Sequence, residues 1–129
     1  MTEAQKMVEE FHRRFEIMIG AAPALPDEAT RSLRLRLIQE EFDELRDALG
    51  RPDVADVAKE LADLLYVVYG TAVSCGIDME PVFREVHRSN MSKVGGHKRA
   101  DGMWVKPPTY SPADLQPILA DQQTAERSP

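Results

Sequence analysis

Residues 61–69 read Leu-Ala-Asp-Leu-Leu-Tyr-Val-Val-Tyr, and the run stays apolar as far as Val73. As a helix it is hydrophobic almost all round, which is stable in water only when neighbours enclose it. The rest of the chain, or a second subunit, must therefore supply that cover. Asp63 stands inside the run, and a carboxylate there is costly unless it is paired or metal-bound. The longest uninterrupted stretch, residues 64–73, falls well short of the roughly 20 residues that span a bilayer. A membrane span and a secretory leader are not expected, and the single cysteine, Cys75, fits a reducing cytoplasm, as a small buried hydrophobe.

Asp63 has company. Glu60 lies three residues before it, and upstream come Glu40-Glu41-x-x-Glu44, separated from the second pair by Gly50-Arg51-Pro52. On helices, residues three and four apart share a face, so Glu41 stacks with Glu44 and Glu60 with Asp63. A turn at 50–52 lets the two helices fold back as a hairpin and bring the pairs together. Four or five carboxylates that converge repel one another, so they take up protons or a cation neutralises them. Oxygen ligands suit a hard divalent ion, Mg²⁺ with Mn²⁺ as the alternative, rather than zinc. The three histidines, His12, His87 and His97, have no zinc-site spacing.

The 129 residues can bury a sizeable core without disulfides, and the net charge of −6 argues against a general nucleic-acid surface. The five acidic residues named above carry most of that charge. An ion bound among them leaves the remainder near neutral, so an anionic substrate is not repelled.

The flanking segments read as helices too. Thr2 and Gln5 form a T-x-x-Q capping box for a first helix ending near Gly20, with Val8, Phe11, Phe15 and Met18/Ile19 on one stripe and the phenylalanines as core. Asp27 caps a second helix to about Leu49, with Leu33, Leu37, Phe42 and Leu45 buried and Arg31, Arg34 and Arg36 solvated or paired with Glu40. Pro52-Asp53 opens the third, which ends near Gly76. Asp78 caps a fourth carrying Val82, Phe83, Val86 and Met91 inward. A basic, Gly- and Pro-punctuated segment follows, with Asn90, Lys93, Trp104, Lys106 and Tyr110. Trp104 either stacks on a base, covers a site or pins this loop. Residues 111–129 read as a largely irregular tail with one turn of helix near 113–115, and no strand pattern persists.

The signature Glu40-Glu41-x-x-Glu44…Glu60-x-x-Asp63 resembles that of the all-α nucleoside triphosphate pyrophosphohydrolases, the MazG-like superfamily that includes dimeric dUTPases and phosphoribosyl-ATP pyrophosphohydrolases. The run Lys59-Glu-Leu-Ala-Asp-Leu-Leu-Tyr-Val-Val-Tyr and the later Asn90-x-x-Lys93 resemble it as well, so the likeness covers roughly residues 11–110. It implies an all-α bundle of four or five helices over residues 1–110 that forms a homodimer, or a dimer of dimers. It also implies cleavage of a triphosphate between the α and β phosphorus, with Mg²⁺ held by Glu41, Glu44, Glu60 and Asp63. Glu40 matches a further ligand or the base that orients water, and with Glu41 makes the catalytic pair. Asn90 and Lys93 match phosphate-contacting positions, with Lys106 and Tyr110 as further substrate-binding candidates. Without the resemblance, Asn90 and Lys93 read as ordinary residues of a helix C-terminus.

The chemistry is consistent with that assignment. Carboxylates cannot bind a triphosphate directly, so an ion must bridge them; it polarises the phosphoryl group and neutralises the leaving pyrophosphate. The expected function is removal of a (deoxy)nucleoside triphosphate, dUTP or another non-canonical or deoxynucleotide, from the cytoplasmic pool. Two alternatives stand beside it: a phosphoribosyl-ATP pyrophosphohydrolase of histidine biosynthesis, and a non-catalytic helical interaction module whose acidic residues are a solvated face. The base-selecting pocket is not legible, although Phe11, His12 and Phe15 are placed to line one.

Overall fold

The computed structural model describes residues 1–125. Its order is α1 (Glu3–Arg14), α2 (Glu28–Leu49), α3 (Val54–Ser74), α4 (Met79–Met91), β1 (His97–Lys98), β2 (Trp104–Val105) and α5 (Gln116–Thr124), an all-α fold with one minimal hairpin. Among these residues no single helix is long and apolar enough to cross a membrane. They divide into two compact units, Met1–Met79 and Glu80–Ala125.

In the first unit the helix starts follow local chemistry. Thr2 Oγ1 accepts from Gln5 N, Asp27 Oδ1 from Thr30 N, and Asp53 Oδ1 from Ala55 N and Asp56 N. Only half of the expected capping box forms at Thr2. The Gln5 amide is buried and serves the far end of α3 instead, donating to Ile77 O at 2.6 Å and accepting from Met79 N at 2.9 Å. The first helix also stops before Gly20. Its C-cap is Phe15, and Glu16 turns the chain in the left-handed region at φ 56°, after which Ile17 N bonds back to His12 O.

That early stop lays residues 18–24 along the end of α3. Gly20 N donates to Val73 O, Ala24 N to Cys75 O, and the buried Ser74 hydroxyl to Met18 O. Gly76 permits the approach: its φ is +69°, and a side chain there would strike the Ala22 backbone.

α3 packs against α2 and α1, as a covered central helix should. The buried face of α2 is not the expected one. Leu33 and Phe42 are exposed, while Ala48 and Arg34 are buried, Arg34 to 5% exposure. Arg34 is therefore neither solvated nor paired with Glu40: its guanidinium donates to Val67 O at 3.0 Å and Thr71 Oγ1 at 3.3 Å, passing over Gly70. The buried His12 lies on the same glycine, its Nδ1 bonded to Met18 O. Burial lowers the pKa of His12, with nearby Arg34 adding to the effect. The phenylalanines of α1 are also outside the core, because they pack on each other and on Tyr66 rather than inward: Phe11 lies 4.6 Å from Phe15 and 5.5 Å from Tyr66, centroid to centroid.

In the second unit α4 buries Val82 and Ser89 but leaves Phe83, Val86 and Met91 exposed. β1 and β2 pair antiparallel, His97 with Val105 and Lys98 with Trp104. Such two-residue strands are too short to show an alternating pattern. The hairpin is tied to the end of α4 by Trp104, whose indole N–H donates to Lys93 O at 2.8 Å. Residues 110–112 are stapled to α4 by Ser89, Ser92 and Arg88. α5 lies one turn beyond the 113–115 indicated by the sequence; residues 126–129 of the expected tail lie outside the described residues.

Candidate metal centre

The turn at 50–53 folds α3 back on α2, and the two acidic pairs meet. Glu41, Glu44, Glu60 and Asp63 each offer one carboxylate oxygen, and these four oxygens lie within 4.8 Å of one another. The i,i+3 spacing in each helix puts both members of a pair on the facing side, so the convergence follows from helix geometry once the hairpin closes. Glu40 is exposed and is not part of the group.

The cluster is under electrostatic stress. Burial pushes the carboxyls of Glu41 and Glu60 above their ordinary value of 4.5, and the Glu44 carboxylate beside them adds to it. Glu60 is only 8% exposed. One oxygen of each, Glu41 Oε2 and Glu60 Oε2, is buried with no hydrogen-bond partner. Buried acceptors are ordinarily paired, and leaving one orphaned is costly. An oxygen-ligated divalent cation satisfies both atoms and removes the repulsion, so these residues fit such an ion.

Sequence reasoning passed over Lys59 at this site. Its Nζ lies 2.7 Å from Asp63 Oδ2 and 3.7 Å from Glu60 Oε1. The i,i+4 spacing to Asp63 was the available signal.

The remaining candidates belong to the second unit. Asn90 and Lys93 stand at the end of α4 and line, with Met91, Val94 and Trp104, an open cavity of about 240 Å³. Lys106 Nζ lies 4.6 Å from the Tyr110 ring centroid and Lys93 Nζ 6.0 Å from it. The Tyr110 oxygen accepts from Ser89 Oγ at 3.2 Å, which lowers the phenol pKa; the two lysines lower it further.

A helical hairpin with an oxygen-only acidic cluster between its arms agrees with the resemblance of the acidic signature to the all-α nucleotide pyrophosphohydrolases. The sequence model for phosphoribosyl-ATP pyrophosphohydrolase matches residues 8–90, and the chain belongs to that family. Its members are hydrolases acting on acid anhydrides. The match covers all five acidic residues and ends at Asn90, so Lys93, Lys106 and Tyr110 lie beyond it. A search of curated proteins found no match.

Proposed function

We propose that the protein is a Mg²⁺-dependent pyrophosphohydrolase that cleaves a (deoxy)nucleoside triphosphate such as dUTP between the α and β phosphorus, giving the monophosphate and pyrophosphate. The pyrophosphohydrolase domain is taken as residues 1–110, followed by the tail. The observation that carries the reading is the pair of orphaned oxygens on Glu41 and Glu60 inside a four-carboxylate cluster. Glu41, Glu44, Glu60 and Asp63 are assigned as ligands. A divalent ion held by them supplies charge neutralisation and Lewis-acid polarisation of a phosphoryl oxygen.

The chain's own residues do the rest. Glu40, outside the ligand group and solvent-accessible, is assigned the proton of the attacking water, with Glu41 as the other catalytic carboxylate. Asn90 and Lys93, with Lys106 and Tyr110, are assigned to the phosphates: the lysines as point charges, the asparagine amide as a hydrogen-bond donor.

The family match supports a second reading, phosphoribosyl-ATP as the substrate. Its triphosphate makes the same demands on the acidic cluster. We further take the working form as a cytoplasmic homodimer, with a dimer of dimers as the alternative. Leu35, Leu49, Leu61, Leu65 and Val68 are exposed on α2 and α3, which supports a covered face.

The test is pyrophosphate release from a panel of deoxynucleoside and ribonucleoside triphosphates plus phosphoribosyl-ATP, with Mg²⁺, Mn²⁺ or EDTA. Metal-dependent turnover of dUTP or a related deoxynucleotide is expected. Turnover of phosphoribosyl-ATP alone would transfer the assignment to the second reading, and silence of folded protein across the panel would leave a helical interaction module.

A further inference from the structure

The two lysines at Tyr110 are unlike the arginines of the same unit. Arg84, Arg88 and Arg99 each hold a carboxylate, on Glu80, Glu85 and Asp101 respectively. Among the described residues neither Lys93 nor Lys106 has a carboxylate in ion-pair reach; what they share is one aromatic ring. Two ammonium groups drawn to one ring repel each other, and the ring quadrupole compensates them only in part. A multiply charged anion would compensate both.

The ring itself is fixed. Ser89, 3% exposed on α4, donates to the phenol oxygen. Tyr110 N donates to Pro107 O, closing the turn that follows Lys106, and Ser111 N donates to Ser92 Oγ at 2.8 Å. Arg88 bonds Ser111 Oγ and Pro112 O, each at 3.1 Å. The ring is thus anchored on both sides of the chain, while each lysine reaches it on a flexible four-carbon stem. A free lysine loses considerable rotamer freedom when it binds an anion, and a lysine already held by a ring loses less.

We propose that Tyr110 is a positioning residue whose ring, not its hydroxyl, holds Lys93 and Lys106 together in readiness for a phosphate-chain anion, the pyrophosphate end of the substrate. The proposal rests on the phosphate-contact assignment of the preceding subsection, and it makes the lysine pair a unit rather than two independent contacts. Tyr110 touches the lysines, and the part in phosphate binding assigned to it above is exerted through them.

The test compares the full chain with Tyr110→Phe, Tyr110→Leu and Lys106→Met. Inorganic pyrophosphate is titrated by calorimetry in buffer with excess Mg²⁺, which neutralises the acidic cluster and where no turnover is needed. The ε-methylene resonances of Lys106 report the ring directly, because they shift upfield above its face. The Tyr110→Phe variant is expected to keep the upfield shift and to bind pyrophosphate within about twofold of wild type, while Tyr110→Leu loses the shift and roughly fivefold to tenfold in affinity. In turnover the loss in Tyr110→Leu falls on KM and spares kcat. Lys106→Met should match the affinity loss of Tyr110→Leu, which covers the case of a leucine variant that does not fold. A Tyr110→Phe variant as weak as Tyr110→Leu would overturn the proposal, since the hydroxyl, as a contact or through its bond to Ser89, and not the ring would then carry the effect. So would wild-type protein that shows no pyrophosphate binding, or a Lys106→Met variant that binds as wild type. The expected binding pattern in protein that hydrolyses no triphosphate would uphold the lysine unit and refute the catalytic reading alone.

Discussion

Lys59 Nζ stands 2.7 Å from Asp63 Oδ2, so a cation of the chain's own already sits at the acidic cluster. The carboxylates hold the ammonium above its ordinary pKa, first through that hydrogen bond. A divalent ion that takes Asp63 as a ligand must displace Lys59 from it. Lys59 is largely exposed, which limits the strength of the pair. The Lys59→Met variant should therefore bind Mn²⁺ roughly threefold to tenfold more tightly than wild type, as read by titration of the ion.

Glu60 is the most buried of the four carboxylates and carries an orphaned oxygen. Replacing it with alanine removes a ligand together with a source of repulsion. Turnover should fall by roughly a hundredfold or more, given what the loss of lesser supporting groups costs a metal site. In EDTA the same variant should melt at or slightly above wild type. Wild-type activity in Glu60→Ala would remove it from the site.

The raised carboxyls of Glu41 and Glu60 set a pH dependence for the metal-free protein. A carboxyl whose folded pKa exceeds its unfolded value contributes stability that is fully present below about 4.5 and is lost as pH rises through the folded value. The Tm in EDTA should therefore fall on passing upward from about pH 5 more steeply in wild type than in Glu60→Gln. Mg²⁺ should raise the Tm more at pH 8 than at pH 5.5.

Glu85 behaves in the opposite sense. The Arg88 guanidinium and the Asp114 N–H hold its carboxyl down at about 2. Its contribution is present above the ordinary 4.5 and is lost as pH falls through about 2. The Glu85→Gln variant should flatten the acid limb of the stability curve over that window and free the amide of Asp114 to faster hydrogen exchange.

Gly70→Ala should destabilise by about 1–3 kcal/mol. In the interior of a helix this substitution ordinarily stabilises by up to about 1 kcal/mol, so the sign is the test. The added methyl collides with the Arg34 guanidinium and comes within 2.9 Å of His12 Nε2. Arg34 is buried and held by Val67 O, so it cannot simply step aside. Chemical denaturation measures the difference.

Local chemistry was the most legible part of the sequence. Asp27, Asp53 and Gly50 mark the ends of α2 and α3, and each acts through its nearest neighbours alone. The acidic cluster was legible because helical spacing and one turn suffice to assemble it. Which face each helix buries was not. Periodicity counts apolar residues without knowing what they meet, so Phe11, Phe15 and Phe42 were placed in a core from which the structure excludes them. Arg34 is the converse: a charged residue reads as solvated until the carbonyl and hydroxyl that receive it are known, and both come from a helix more than thirty residues away. The short strands, the α5 helix of weak amphipathicity and the lysines gathered at Tyr110 depend likewise on tertiary contacts.

Arg34 and Gly70 also constrain each other through descent. A side chain at position 70 is costly while the guanidinium lies across it and cheaper once the arginine is gone. The two substitutions therefore have a preferred order, the arginine first, and an arginine restored after position 70 has been filled meets the same collision.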